Sequence, residues 1–142
     1  HPRSRKKLET SDIVLDRRII MHEPLGFSDY NRLQMGAMAV VSDSGTLPEE
    51  SSFYLSIGRP FPAVCIRTST ERPEALDKGC FILAGIDENS LLQAVETAIE
   101  LNGSEASATP VPDYTDKNVS DKIVRLVQSY TGIVNKMVWR KF

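Results

Sequence analysis

A short polar stretch, SDSGT at residues 42–46, follows an apolar run and precedes two adjacent glutamates, Glu49 and Glu50. The apolar run predicts a buried strand, and the residues after Thr46 have helical spacing, so Gly45 falls in a strand-to-helix turn. The first N–H groups of a helix lack partners and carry partial positive charge, which makes such a turn a common anion site. Glycine also turns more easily than any other residue, so the pattern fits a plain turn as well.

Two further loops are expected beside this turn. The sequences HEPLGF (22–27), SDSGT (42–46) and RTSTERPE (67–74) each follow a predicted strand, and the carboxyl ends of parallel strands share one edge of a sheet. Together these loops supply Arg67 and Arg72, glycines, hydroxyls and carboxylates. N–H groups and arginine suit phosphate, a carboxylate suits ribose hydroxyls, and an apolar loop suits a base. The loops therefore predict a site for a nucleotide diphosphate.

The elements that would position these loops are read from the apolar runs. Four runs predict strands, at residues 18–22, 39–43, 62–67 and 80–85. Helix-like segments separate them. Strands that are apolar throughout and alternate with helices predict an α/β fold, with a Rossmann-like parallel sheet covered by helices on both faces.

Capping and turn residues place the helices between the strands. Ser28 or Asp29 is the predicted N-cap of the first, and the third begins near Pro73. The second follows Thr46 and has as its core candidates Leu47, Tyr54 and Leu55.

The last part of the chain predicts a helix, a linker and a second helix. The first helix runs from Asp87 to Asn102 and stops at Gly103; its apolar stripe is Leu91, Leu92, Val95, Ala98 and Ile99. A polar, proline-containing linker (103–118) separates the predicted sheet domain (1–102) from residues 119–142. Apolar residues there recur at spacings of three and four, which predicts a long amphipathic helix packed away from the sheet.

Composition excludes several classes of protein. The chain has 142 residues, 41% hydrophobic and 25% charged, and a net charge of −2, which is typical of an ordinary globular domain and not of a nucleic-acid binder. The basic run near the start reads as a solvated helix face, and no apolar run is long enough to span a membrane. Cys65 and Cys80 match no metal motif; buried free thiols are expected, which suits the cytoplasm. Neither a metal nor a cofactor is predicted.

The combination of the two polar loops resembles the non-hydrolysing UDP-N-acetylglucosamine 2-epimerase family. The matching motifs are Asp43-Ser44-Gly45, Glu49-Glu50 and Thr70-Glu71-Arg72-Pro73-Glu74. The resemblance extends over nearly the whole chain and implies the C-terminal nucleotide-binding part of a two-domain GT-B enzyme, homodimeric as the full-length parent. The first two strands of this domain are then expected upstream of residue 1.

The resemblance also implies roles for individual residues. Ser44, with the N–H groups of Gly45 and Thr46, would hold a diphosphate oxygen, and Glu50 would accept hydrogen bonds from both ribose hydroxyls. Arg72 and Arg67 would face the phosphates or the sugar. Tyr30 matches the stretch that surrounds the uracil. For Glu49 and Glu50 the alternative is stabilisation of the helix dipole, and for Arg72 it is a surface ion pair with Glu71 or Glu74.

Within the family, SDSGT, EESS and the ending NKMVWRKF are more like one branch. That branch makes UDP-N-acetyl-L-fucosamine for capsule and O-antigen by 2-epimerising a UDP-6-deoxy-L-talosamine derivative. The catalytic acids and bases are expected in an N-terminal part outside this chain, so none is assigned here, and the 142 residues alone are expected to be inactive. A GT-B glycosyltransferase and a non-catalytic nucleotide-binding module are the alternatives.

Overall fold

The structure, a computed structural model, describes residues 2–102 and 108–141. The chain divides into two compact units, His1–Ala37 and Met38–Phe142. The first unit contains two helices, α1 (Pro2–Glu9) and α2 (Phe27–Gly36). Every described strand lies in the second unit, so the sheet does not extend over the start of the domain predicted for residues 1–102.

In the first unit, α1 carries the basic run. Arg5, Lys6 and Lys7 are exposed on it, which confirms a solvated helix face, and Arg5 pairs with Glu23 at 2.6 Å. The helix α2 begins at Phe27, with Gly26 as N-cap and no side-chain cap. The predicted caps Ser28 and Asp29 are therefore wrong, because the helix already includes both residues.

The strand predicted for residues 18–22 is also wrong. This segment is irregular, and Ile19, Ile20 and Met21 are each half or more exposed. A strand needs a neighbour for its N–H and C=O groups, and no described strand pairs with this run. The prediction rested on the apolar character of the run, which does not by itself provide a strand to pair with.

The sheet of the second unit has three parallel strands in the order β1-β2-β3. These are β1 (Val40–Ser42), β2 (Ala63–Cys65) and β3 (Ile82–Leu83). The helices between them are α3 (Leu47–Ser56) and α4 (Pro73–Asp77), and α5 (Glu88–Leu101) follows β3. The predicted strands 39–43, 62–67 and 80–85 are confirmed, each shortened to its central residues.

Helices cover both faces of the sheet. Successive side chains of a strand point to opposite sides, so the residues of β2 pack into two different clusters. Val64 of β2 packs against Ala94 and Ala98 of α5 on one face. Ala63 and Cys65 belong to the larger cluster on the other face, whose buried members include Leu47, Tyr54, Phe61, Ala75, Cys80, Phe81 and Val111. The predicted α/β fold, a Rossmann-like parallel sheet between helices, is confirmed.

The buried stripe of α5 differs slightly from the predicted one. Its core residues are Ala94 and Ala98, with Leu91 and Val95 packed beside them, whereas Leu92 is 57% exposed. Leu92 lies on the flank of the helix, because one residue turns an α-helix by about 100°. Asp87 caps the helix by accepting a hydrogen bond from the Ser90 N–H at 2.9 Å. The predicted stop at Gly103 lies outside the described residues.

Two buried serines on α3 attach other segments to the core. Ser51 Oγ donates to the Cys80 carbonyl at 2.5 Å, and the N–H of Val111 donates to Ser52 Oγ at 2.8 Å. Val111 is only 4% exposed and precedes a short 3-10 helix, Pro112–Tyr114. The described part of the predicted linker therefore contributes to the core.

Both cysteines are free and buried, as predicted. Burial raises the pKa of the Cys65 and Cys80 thiols, so both stay protonated near neutral pH and are poor nucleophiles.

The predicted C-terminal helix is α6 (Val119–Met137). Most of its apolar residues are more than half exposed, among them Val119, Ile123, Leu126, Val127, Tyr130, Ile133 and Met137. Over the described ranges, no helix is both long and apolar enough to cross a membrane.

The edge strand β1 predicts self-association of the isolated chain. Among the described residues β1 pairs only with β2, and Val41 is 41% exposed, so unpaired backbone groups are available to another chain. We expect light scattering after size exclusion to show a mass above that of the 15.8-kDa monomer, and Val41→Lys to lower it.

Substitutions at two exposed positions serve as controls. Leu92→Lys on α5 should leave the mass unchanged, and Val127→Lys tests whether the chains associate through α6 instead. A drop in mass with Val127→Lys but not with Val41→Lys would contradict association through the strand edge.

Candidate functional site

The parallel pairing of β1 with β2 brings two of the polar loops to one edge of the sheet. Ser42 pairs with Cys65 at the ends of the strands, so the turn 43–46 and the loop 66–72 leave the sheet side by side. A Cβ atom built on Gly45 would lie 3.6 Å from Nη1 of Arg67. The predicted meeting of the SDSGT and RTSTERPE loops is thus present in the structure.

Hydroxyl groups hold the turn in shape. The N–H of Ser44 donates to Ser42 Oγ at 3.0 Å, and the Thr46 N–H donates to Ser44 Oγ at 3.3 Å. Gly45 does not have a positive φ, and a Cβ atom there would make only ordinary van der Waals contacts, so neither the backbone nor the neighbouring side chains require glycine. A turn of this kind directly before α3 presents the N-terminal end of a helix beside a cationic side chain.

Glu50 lies in the first turn of α3 and is oriented by the same hydroxyl network. Thr46 Oγ1 donates to Glu50 Oε1 at 2.9 Å, and the two hydroxyl oxygens of Ser44 and Thr46 are 3.0 Å apart. A carboxylate can accept several hydrogen bonds at once, which makes the Glu50 side chain chemically suited to a vicinal diol.

Arg67 is held by Glu71 in a two-point ion pair. Nη1 and Nη2 of Arg67 each donate to a different carboxylate oxygen, both at 2.9 Å. The guanidinium lowers the pKa of Glu71, and the carboxylate raises the pKa of Arg67, so the pair is fully charged at neutral pH. An anion that binds Arg67 through its two terminal nitrogens must displace Glu71.

Arg72 is held from the side. Its Nε donates to Glu49 Oε1 at 2.5 Å and its Nη1 to the Glu71 carbonyl at 3.0 Å, while its backbone N–H donates to Thr70 Oγ1 at 3.0 Å. The Glu49 carboxylate raises the pKa of Arg72. Both side chains are about one-third exposed, at 37% and 34%. The ion pair expected with Glu71 or Glu74 is instead made with Glu49.

The loop after β2 is held a second time through Glu74, the residue after Pro73. The hydroxyl of Tyr114 donates to Glu74, which lowers the pKa of Glu74. Burial and this hydrogen bond raise the pKa of Tyr114 to about 12. Within the described parts of the chain, no three His, Cys, Asp or Glu side chains come together as metal ligands.

Five of the predicted residues share a contiguous surface around the start of α3, namely Ser44, Gly45, Thr46, Glu50 and Arg67, and Arg72 reaches it through Glu49. Tyr30 lies on α2 in the first unit and is 39% exposed. Their roles in binding stay predictions.

The sequence analysis included Thr70 in a motif without giving it a role, and it missed Tyr114. The available signals were a hydroxyl two residues before Arg72 and an aromatic residue inside a supposedly polar linker.

A family model described as UDP-N-acetylglucosamine 2-epimerase matches residues 1–128. The chain belongs to this family. Among curated relatives, a UDP-N-acetylglucosamine 2-epimerase from Methanococcus maripaludis is 36% identical over 106 residues, which is 72% of this chain and 28% of the relative. One from Methanocaldococcus jannaschii is 29% identical over 131 residues, 89% of this chain and 33% of the relative.

Solved structures of the family share this fold. The structure of UDP-N-acetylglucosamine 2-epimerase from Rickettsia bellii matches with a TM-score of 0.83 and 39% identity, over 99% of this chain and 38% of that protein. The Methanocaldococcus jannaschii enzyme in complex with UDP-GlcNAc and UDP matches with a TM-score of 0.70 and 28% identity, over 91% and 34%. The chain spans about a third of the length of these relatives.

The Arg67–Glu71 pair predicts that Glu71 competes with anions. Glu71→Gln removes the charged partner of Arg67, and we expect inorganic pyrophosphate to bind about threefold more tightly in calorimetry, the scale of an exposed ion pair. Glu96→Gln, an exposed position on α5, changes the net charge equally and is the control. Equal affinities of the two variants would mean that Glu71 does not compete with anions for the terminal nitrogens of Arg67.

Proposed function

We propose that this chain is the nucleotide-binding part of a UDP-N-acetylhexosamine 2-epimerase. The observation that carries the proposal is the meeting of the SDSGT turn, Glu50 and two arginines at the carboxyl ends of β1 and β2, in a member of this family. Ligands of open parallel sheets bind at that end of the strands. One of the solved relatives was crystallised with UDP-GlcNAc and UDP.

Each group then has a defined task. The N–H groups of Gly45 and Thr46, with the Ser44 hydroxyl, hold a diphosphate oxygen at the start of α3. Glu50 accepts hydrogen bonds from the two ribose hydroxyls. Arg72 and Arg67 neutralise the phosphates, and arginine suits this because it stays charged and binds oxygens at two points.

Acid-base chemistry is assigned to the rest of the parent protein. In the proposed reaction a proton leaves carbon 2 as UDP leaves carbon 1, which forms a double bond between them. UDP then adds back to carbon 1 while a proton returns to the opposite face of carbon 2, which inverts that carbon. The described loops supply two arginine side chains and oriented hydroxyl groups, which suit the binding of UDP. The family match favours this epimerase over a GT-B glycosyltransferase, which also places a glutamate on ribose.

The parent is proposed to be a homodimeric GT-B enzyme that works in the cytoplasm, in the synthesis of bacterial surface polysaccharide. Two buried free thiols suit a reducing compartment. The exposed apolar residues of α6 suit packing on the other domain, because a helix that is stable in water buries its apolar side.

A mutation at Glu50 tests the binding site. In the full-length parent, Glu50→Ala should weaken UDP binding by about 1–3 kcal/mol, the scale of lost hydrogen bonds to a charged group. Calorimetry measures this directly. Glu88→Ala removes the acidic residue from the first turn of α5 and is the matched control. Unchanged UDP affinity in Glu50→Ala would remove Glu50 from the site.

The sugar is a separate and finer proposal. The SDSGT, EESS and NKMVWRKF matches favour the UDP-6-deoxy-L-talosamine branch, whereas the names of the relatives point to UDP-N-acetylglucosamine. We expect proton NMR at carbon 2 to show faster epimerisation of the 6-deoxy-L-talosamine nucleotide. A strong preference for UDP-N-acetylglucosamine would assign the protein to the other branch while leaving the UDP site intact.

A further inference from the structure

The two adjacent glutamates of α3 have different partners. Neighbouring residues of a helix point about 100° apart, and here Glu50 faces Thr46 whereas Glu49 faces Arg72. Glu49 therefore does more than lie near the positive end of a helix. It binds one nitrogen of an arginine that belongs to a different loop.

The two arginines of the site are held in different ways. Arg67 uses both terminal nitrogens on Glu71. Arg72 is bound at Nε and Nη1, and within the described residues its Nη2 makes no hydrogen bond. The side-on contact with Glu49 thus fixes the guanidinium and still leaves one amino group to donate to a ligand.

We propose that Glu49 is a positioning residue that orients Arg72 toward the diphosphate of UDP; this rests on the proposed function. An arginine side chain loses rotamer freedom when it binds a ligand, and a contact already made in the empty protein removes part of that cost. Thr70 fixes the backbone of the same residue through its hydroxyl. Glu49 touches no ligand itself.

The direction in which UDP affinity changes when Glu49 is removed distinguishes the positioning role from two alternatives. A carboxylate beside an anion site repels the anion, so if Glu49 only competed with phosphate for Arg72, its removal would tighten binding. If Glu49 only stabilised the helix dipole, its removal would lower the melting temperature and leave UDP affinity unchanged.

The test is a double-mutant cycle in the full-length parent, with UDP as the probe in calorimetry. We expect Glu49→Ala to weaken UDP binding about tenfold, and Glu49→Gln, whose amide oxygen still accepts from Nε, to weaken it less. In an Arg72→Ala background, Glu49→Ala should have no further effect. Glu88→Gln, in the first turn of α5, is the control for a helix-terminal carboxylate.

The outcomes separate this proposal from the proposed function. If wild type binds UDP and Arg72→Ala weakens it, but Glu49→Ala binds as well as or better than wild type, the positioning role is overturned and the UDP site stands. Additive effects of the two mutations would also overturn it, because Glu49 would then act without Arg72. If wild type does not bind UDP, the proposed function fails and this inference fails with it.

Discussion

The parallel pairing of β1 with β2 is the constraint on which the candidate site depends. Because Ser42 and Cys65 pair at the ends of their strands, the two loops that follow must emerge at the same edge. This backbone register places Gly45 beside Arg67, and nothing in the local sequence of either loop would do so. Burial of Val64 on one face, and of Ala63 and Cys65 on the other, keeps that register fixed, since a slip by one residue would reverse the faces.

The helix α3 contributes side chains both to the candidate site and to the core. Four consecutive polar residues in its first two turns bind four different parts of the second unit: Glu49 binds Arg72, Glu50 binds Thr46, Ser51 binds the Cys80 carbonyl, and Ser52 binds the Val111 N–H. The two exposed partners belong to the site, and the two buried ones belong to the core. A substitution at Ser51 or Ser52 is therefore expected to act through stability, and one at Glu49 or Glu50 through binding.

Much of this could be predicted from the sequence because the signals were local. Apolar runs identified β1, β2 and β3, and an apolar stripe at helical spacing identified α5. The strand predicted at 18–22 was wrong because a strand depends on a neighbour that its own residues do not encode. The pairing of Arg72 with Glu49 and of Tyr114 with Glu74 was also out of reach, because these partners are 23 and 40 residues apart and meet only through the fold.

The start of α3 and the loop after β2 are proposed to bind the diphosphate and ribose of UDP. A crystal structure of the full-length parent with UDP would show whether they do. We expect a phosphate oxygen within about 3 Å of the N–H groups of Gly45 and Thr46, and both ribose hydroxyls within the same distance of the Glu50 carboxylate. UDP bound with its ribose away from Glu50, or at a different edge of the sheet, would contradict it.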